Sequence, residues 1–408
     1  YDVEAEARGE DVSRFGHWHG GKSRYEYNQS HLPVREQSEA LGHAVRAMYL
    51  YSAMADLAGE LGDDTLKQAC ETLWAELTGR KMYVTGGIGP SSRNEGFTTP
   101  FDLPNETAYA ETCAAIGLVF WAQRLLQLDL DGRYADVMER ALYNGTISGV
   151  SLDGERFFYV NPLASAGEHH RQSWFGCACC PPNIARMMAS LAGYVASTTA
   201  DGVALHLYAE GTIDADGRRL SVTTRYPWDG RVTVTLETAG DYELALRVPG
   251  WCANWSVEVN GTVCDAPVSR GYAKLARAWQ AGDQVTLELD MPVTLVEANP
   301  RVGDDHGRVA ITRGPVVYCV EQVDTGVDPR RLVLPAGAQF LTRFEPELLG
   351  GVVAIDSVAL APRMGDWEGE LYRPAGSTTW TQVPLRAIPY YAWDNRDEGA
   401  MAVWLTSR

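Results

Sequence analysis

The sequence predicts an α-then-β architecture, with helices to about residue 197 and β-sheet domains after it. Apolar residues recur at helical spacing through the first half, and near residue 199 the period changes abruptly to strand alternation. The 408 residues also exceed what one hydrophobic core usually supports, which argues for two or three domains. A first helix is expected from Glu36 to about Leu61, where Leu41, Ala44, Val45, Met48, Tyr49 and Ala53 recur. A second is expected from about Asp64 to Thr78, with Leu66, Cys70, Leu73, Trp74 and Leu77 on one face. Further helices are expected over roughly 112–128, 132–145 and 182–197, joined by Gly-, Pro- and Asn-rich loops such as Thr85-Gly86-Gly87-Ile88-Gly89-Pro90. Successive antiparallel helices of this kind fit a bundle or an α/α toroid.

Beyond residue 199, the segments 231–238, 242–248, 255–260 and 284–291 alternate polar and apolar residues and are rich in Val, Thr and aromatics. Turn signals such as Asn260-Gly261 separate them, which predicts a β-sandwich. A further β segment starts near Arg308-Val309-Ala310-Ile311 and ends in 401–405, with long Pro- and Gly-rich loops around 324–336 and 362–379.

The formal charge of −18 argues against nucleic acid as a partner, which requires a basic footprint, and is compatible with a neutral sugar. Twelve Trp and nineteen Tyr could serve as sugar platforms, although packing is their commoner use. No apolar run approaches the roughly 20 residues of a membrane span, and no signal peptide is visible. The chain opens at Tyr1 in a polar segment, as a processed or truncated piece would. Eight cysteines are too few for a disulfide scaffold, and three crowd into Cys177-Ala178-Cys179-Cys180, which points to metal or redox chemistry kept reduced. A cytoplasmic location is the expectation that follows.

Two segments hold nearly all the metal-type ligands: Ala110-Glu111-Thr112-Cys113 and Cys177-Ala178-Cys179-Cys180-Pro181-Pro182-Asn183. Thiolate sulfur with one carboxylate oxygen is a tetrahedral donor set for zinc. Residues two apart on a regular helix point in different directions, so Glu111 and Cys113 need a helix that starts between them. If Thr112 caps that helix, the objection disappears. Pro181-Pro182 likewise sets Cys179 and Cys180 at a helix start, where the positive dipole end favours thiolate. Structural zinc and catalytic zinc fit these residues equally, with three cysteines packed as small hydrophobes as a third reading. A four-coordinate site would bring the ligand atoms of Glu111, Cys113, Cys179 and Cys180 within about 5 Å of one another. Glu95, in Arg93-Asn94-Glu95-Gly96-Phe97, and His43, on the first helix, are further candidates, with a solvated carboxylate and a core histidine as the plainer readings. His169 and His170 offer metal or sugar contacts, and Tyr159 lies in an otherwise buried run.

These residues resemble glycoside hydrolase family 127, the bacterial β-L-arabinofuranosidases, and the related family 146. The matching motifs are Gly42-His43-Ala44-Val45-Arg46-Ala47, Thr85-Gly86-Gly87-Ile88-Gly89, the Glu95 loop, Tyr109-Ala110-Glu111-Thr112-Cys113 and Cys177-Ala178-Cys179-Cys180-Pro181. Arg247-Val248-Pro249-Gly250-Trp251, Arg313-Gly314-Pro315 and Tyr391-Ala392-Trp393-Asp394 extend the match through the β part. The resemblance implies a partial (α/α)6 toroid, its second half, over 1–197, then β-sandwich domains over 198–300 and 301–408. It implies Cys179 as nucleophile and zinc ligand, Glu111, Cys113 and Cys180 as the other ligands, Glu95 as acid/base, and His43 and Tyr159 as sugar contacts. The implied reaction is retaining hydrolysis of β-linked L-arabinofuranosides. A related hydrolase for another furanose or acidic sugar, and a non-catalytic fragment or carbohydrate-binding scaffold with structural zinc, are the alternatives. The first half of the toroid is expected ahead of the first motif, and exposed apolar helix faces would favour a homo-oligomer.

Overall fold

The computed structural model describes residues 7–9 and 24–408. Five helices of two turns or more lie among them: α1 (Ala44–Leu61), α2 (Asp64–Arg80), α3 (Thr112–Leu128), α4 (Gly132–Arg140) and α5 (Cys180–Ser190). The first starts at Ala44 rather than Glu36, and Gly42 gives the reason. Its φ is +72°, outside helical space, and a Cβ there would lie 2.1 Å from the Glu26 carbonyl oxygen. Gly62, at φ +61°, ends α1, and Asp63 begins α2 by accepting from the Thr65 and Leu66 amides. Asp131 caps α4 through the Arg133 amide.

Two helices end earlier than their patterns suggest. After Arg140 the chain widens into a π turn, Ala141–Thr146, which aims the Asn144 side chain at the Pro315 carbonyl and the Val317 amide. Helix α5 passes through a 3-10 turn, Leu191–Tyr194, into a strand at Ala196–Thr198. That strand pairs with Gly202–Leu205, so its backbone hydrogen bonds go to a sheet.

Helix α3 is the centre of the helical part. Every residue from Thr112 to Ala122 is buried, as an all-round apolar helix requires. Gly117 lets α1 approach closely, since a Cβ there would meet the Met48 Cβ at 2.7 Å. Trp121 packs against Tyr51 and Trp74, with ring centroids 5.0 and 5.1 Å apart.

The expected strands are present at Arg231–Leu236, Gly240–Arg247, Trp255–Val259 and Gln284–Leu289. They divide between a five-stranded and a six-stranded sheet. The two sheets share one core, in which Val203, Leu205, Leu244 and Leu246 meet Leu220, Val232, Val234 and Leu287.

The last β part differs from the expected second pair of stacked sheets. It is a single ten-stranded sheet, and six of its strands close on themselves. Arg308–Arg313 pairs with Val316–Glu321, which pairs with Trp380–Pro389 and through it with Val352–Pro362. Val333–Leu334 and Trp404–Ser407 then return the ring to Arg308–Arg313. Closure pairs strand edges that an open sheet would leave bare. Sequence alternation is the same in either arrangement, which is why it did not distinguish them. Strand Val293–Val296 also joins this sheet, ahead of the expected boundary at 300/301.

Polar joints tie the β parts to the helices. Arg247, fully buried, bonds Asp136 and Glu139 of α4, and Glu139 also accepts from Tyr226 and Trp251. Buried Arg171 reaches the carbonyls of Ser148, Tyr391 and Trp393. Replacing Arg247 by Met would leave Glu139 buried without its cation. We expect a loss of about 3–5 kcal/mol in denaturant unfolding, partly recovered when Glu139→Gln is added.

Candidate metal and catalytic site

Two helix starts meet at the site. Glu111 occupies the N-cap position of α3 and Cys113 lies in its first turn, so the cap is Glu111 rather than Thr112. Cys179 occupies the cap position of α5, Cys180 is its first residue, and Pro181 and Pro182 follow. The Cys179 sulfur lies 3.4 Å from Glu111 Oε1 and 3.7 Å from the Cys180 sulfur. Cys180 Sγ is 3.6 Å from Cys113 Sγ and 3.9 Å from Glu111 Oε1. All four ligand atoms fall within 4.8 Å of one another, as the sequence reading requires.

Strained backbone presents them. Ala110 has φ +38°, in left-handed space that an alanine rarely adopts. Its amide bonds the Gly89 carbonyl, and its own carbonyl accepts from Asn161 Nδ2 at 2.9 Å. The same Asn161 amide donates to Thr112 Oγ1, and its oxygen accepts from Ser148. Thus the turn before Glu111 is fixed by the segment that carries Tyr159.

Glu95 enters from a separate loop, at φ +47°. Its carbonyl accepts from the Ala44 amide, and the neighbouring Gly96 lies so close to Gly42 that a Cβ would sit 1.9 Å from the Gly42 oxygen. His43, at the α1 cap position, places Nε2 3.0 Å from Glu95 Oε2. His43, Glu95 and Glu111 form a second group with ligand atoms within 4.8 Å. Glu111 therefore stands between the thiol cluster and the Glu95–His43 pair.

Charge at the site is uneven. Hydrogen bonds from the Cys113 and Cys180 thiols, joined by Tyr159 and Glu111, hold Cys179 well below the usual thiol range. Burial, then the Cys179 charge, pushes the Glu111 carboxyl up to about 9. Donation to Cys179 raises Cys113, and donation to Cys113 and Cys179 raises Cys180. Burial lowers His43 despite the adjacent Glu95, which favours neutral imidazole.

The residues fit a metal ion. Glu111 Oε2 is buried without a hydrogen-bond partner, and three sulfurs with one carboxylate oxygen are a donor set suited to zinc. Four such donors cannot all ionise together in a buried space unless a cation joins them.

Other expected candidates fall elsewhere. His170 pairs with Asp394 at 2.7 Å, and His169 stacks against Phe158 while bonding the Val160 carbonyl. His170 thereby ties the loop before the cysteines to the segment after the Trp380–Pro389 strand, and neither histidine belongs to the two clustered ligand groups. The sequence reading did not single out Tyr109, whose ring packs edge-on against Tyr159, or Asn183, which is buried early in α5. Both stand inside or beside the ligand motifs, and that proximity was the available signal.

Residues 5–193 match the β-L-arabinofuranosidase GH127 catalytic domain, 202–291 its middle domain and 293–406 the family 127 C-terminal domain. The chain belongs to glycoside hydrolase family 127. It is 40% identical over 405 residues to the non-reducing end β-L-arabinofuranosidase of Bifidobacterium longum subsp. longum, covering 93% of this chain and 61% of that protein. A crystal structure of a GH127 β-L-arabinofuranosidase from Geobacillus stearothermophilus T6 matches with a TM-score of 0.93 and 51% identity, over 100% of this chain and 66% of that one. A second GH127 β-arabinofuranosidase structure matches at TM-score 0.88 and 43% identity, over 94% of this chain and 63% of that one. The family 127 chain thus spans just under two thirds of the length of these relatives.

Metal binding to this donor set must displace protons, because Glu111, Cys113 and Cys180 all titrate above neutrality. Calorimetry with zinc at pH 7, in buffers of different ionisation enthalpy, should show roughly three protons released per ion. Affinity should rise with pH up to and beyond about 9, where Glu111 ionises unaided.

Proposed function

We propose that this family 127 chain carries the nucleophile, acid/base and metal ligands of a retaining hydrolase that removes β-linked L-arabinofuranose from non-reducing ends. The observation that carries the reading is the placement of one ionised thiol, Cys179, 3.4 Å from buried Glu111, with the Glu95–His43 pair on the other side of that carboxyl. Zinc, held by Glu111, Cys113, Cys179 and Cys180, would supply the positive charge that keeps these donors ionised together.

The chain's own groups divide the remaining work. Cys179 Sγ attacks the anomeric carbon while Glu95 gives its proton to the leaving oxygen. Glu95, now a carboxylate, takes a proton from water as that water attacks the same carbon and expels the thiolate. His43, kept neutral by burial, donates Nε2–H to Glu95 and holds it in place. Its Nδ1 is buried without a partner and accepts from a sugar hydroxyl. Tyr159 packs edge-on against Tyr109, and its carbonyl accepts from the Thr112 amide beside Glu111, which supports the sugar contact proposed for it.

The same reading makes residues 1–197 the second half of an (α/α)6 toroid, followed by a β-sandwich unit and then the closed sheet described above. It is supported by the three family domains, which meet near 193–202 and 291–293. All eight cysteines are free, which supports a reducing, cytoplasmic setting. No described helix is long and apolar enough to cross a membrane. The substrate reading excludes nucleic acid, and exposed Tyr49, Leu57 and Met188 on α1 and α5 support association, including a homo-oligomer.

Variants of the full-length enzyme separate the two roles. Cys179→Ser should lower turnover of every substrate by at least about 10⁴-fold. Glu95→Gln should lose about 10²–10⁴-fold on alkyl glycosides while still reacting with activated aryl arabinofuranosides, whose leaving groups need no proton. Mass spectrometry of Glu95→Gln with such a substrate should find one pentosyl group on the Cys179 peptide. An adduct on Glu111, or on Glu95 in the unmodified enzyme, would make the nucleophile a carboxylate and the metal structural.

A further inference from the structure

We propose that the cavity where the three parts of the chain meet binds a small organic monocarboxylate with a flat apolar body, held through Arg140. The cavity measures about 520 Å³, the size of a small-molecule site. Its walls come from the ends of α2 and α4, from Gly250-Trp251 of the two-sheet unit, and from the closed sheet and its loops between 292 and 317. No lining residue belongs to the thiol cluster or to the Glu95–His43 pair, so the site is separate from the chemistry described above.

Arg140 is the residue that lacks a partner. It ends α4, where the π turn begins. Its helix neighbours Asp136 and Glu139 are the carboxylates that act on it, yet both are bound to Arg247. Among the described residues none forms an ion pair or hydrogen bond with its guanidinium. The side chain keeps accessible surface, but burial still lowers its pKa, so that surface faces the cavity rather than open water. A guanidinium stripped of water and left without a counter-charge is costly, and a carboxylate would meet it with two parallel hydrogen bonds. Glu297 and Asp305 share the walls, which disfavours a ligand with more than one negative charge.

The rest of the wall selects the body of the ligand. Tyr83, Phe101, Trp251 and Trp404 bring ring surface, and Met82 and Leu103 bring aliphatic surface. The hydrogen-bonding groups beside them are already engaged. The Tyr83 hydroxyl donates to the Pro104 carbonyl at 3.1 Å, and the Trp251 indole to Glu139 at 3.2 Å. The Thr78 and Thr312 hydroxyls donate to the Trp74 and Thr294 carbonyls at 2.8 and 3.2 Å. A sugar needs a partner for each hydroxyl and would find few here. A flat apolar body with one charged group needs only ring contacts and the guanidinium.

Benzoate is the probe, titrated calorimetrically into the full-length enzyme. Acetate, which has the charge without the ring, and benzyl alcohol, which has the ring without the charge, are the controls. A single benzoate should bind per chain, at least about tenfold more tightly than either control. Arg140→Met removes the cation and should weaken benzoate binding at least about tenfold. Gly79→Leu should do the same with Arg140 intact. Gly79 lines the cavity in the last turn of α2, a Cβ there meets nothing within 4 Å, and Leu suits a helix better than Gly. Gly79→Leu therefore decides the matter even if Arg140→Met does not fold. Unchanged benzoate affinity in Gly79→Leu would place the anion elsewhere and overturn the proposal. Acetate binding as tightly as benzoate would mean an adventitious ion only, with the same consequence. An unmodified enzyme that binds no benzoate would overturn it as well.

Discussion

Four donors that would each carry negative charge are gathered within 4.8 Å, and that repulsion is the constraint on which the site depends. Two helix N-termini relieve part of it, because their dipoles favour charge at Glu111, Cys179 and Cys180. Protons relieve more: Cys113 and Cys180 hold theirs and donate to Cys179, which alone is left as thiolate. A divalent ion would replace these protons and remove the unevenness. The four donors are thus arranged so that they could hold a cation.

Holding such donors together requires a backbone that cannot relax. Ala110 and Glu95 both sit in left-handed space, each at a cost of about 1–3 kcal/mol. Gly42 and Gly96 permit the approach that brings the Glu95 loop onto the start of α1. Asn161 locks the turn before Glu111, since its amide serves both Ala110 and Thr112. The β parts contribute at a distance. Arg171 and the His170–Asp394 pair fasten the cysteine-bearing loop to the closed sheet, so residues far from the chemistry keep Cys179 aligned.

Local patterns announced much of this in the sequence. Helical periodicity, turn signals and strand alternation are short-range properties, and they located α2, α3 and the four middle strands to within a few residues. The ligand set was legible for a similar reason: Glu111, Cys113, Cys179 and Cys180 stand at helix starts that a cap position and a Pro-Pro pair mark within the chain. The late start of α1 was not legible, because it depends on Gly42 meeting the Tyr27 region across a tertiary contact.

What the sequence determined by itself, then, was the helical-to-strand division, the donor residues and the family motifs, all carried by neighbours in the chain. Tertiary structure alone decided that the last strands close into a ring, since alternation is blind to which distant strand supplies the partner. It also decided that His43 reaches Glu95 from 52 positions away, and that His170 pairs with Asp394 while His169 stacks on Phe158. Periodicity records which face of an element is buried, whereas only packing determines what lies against that face.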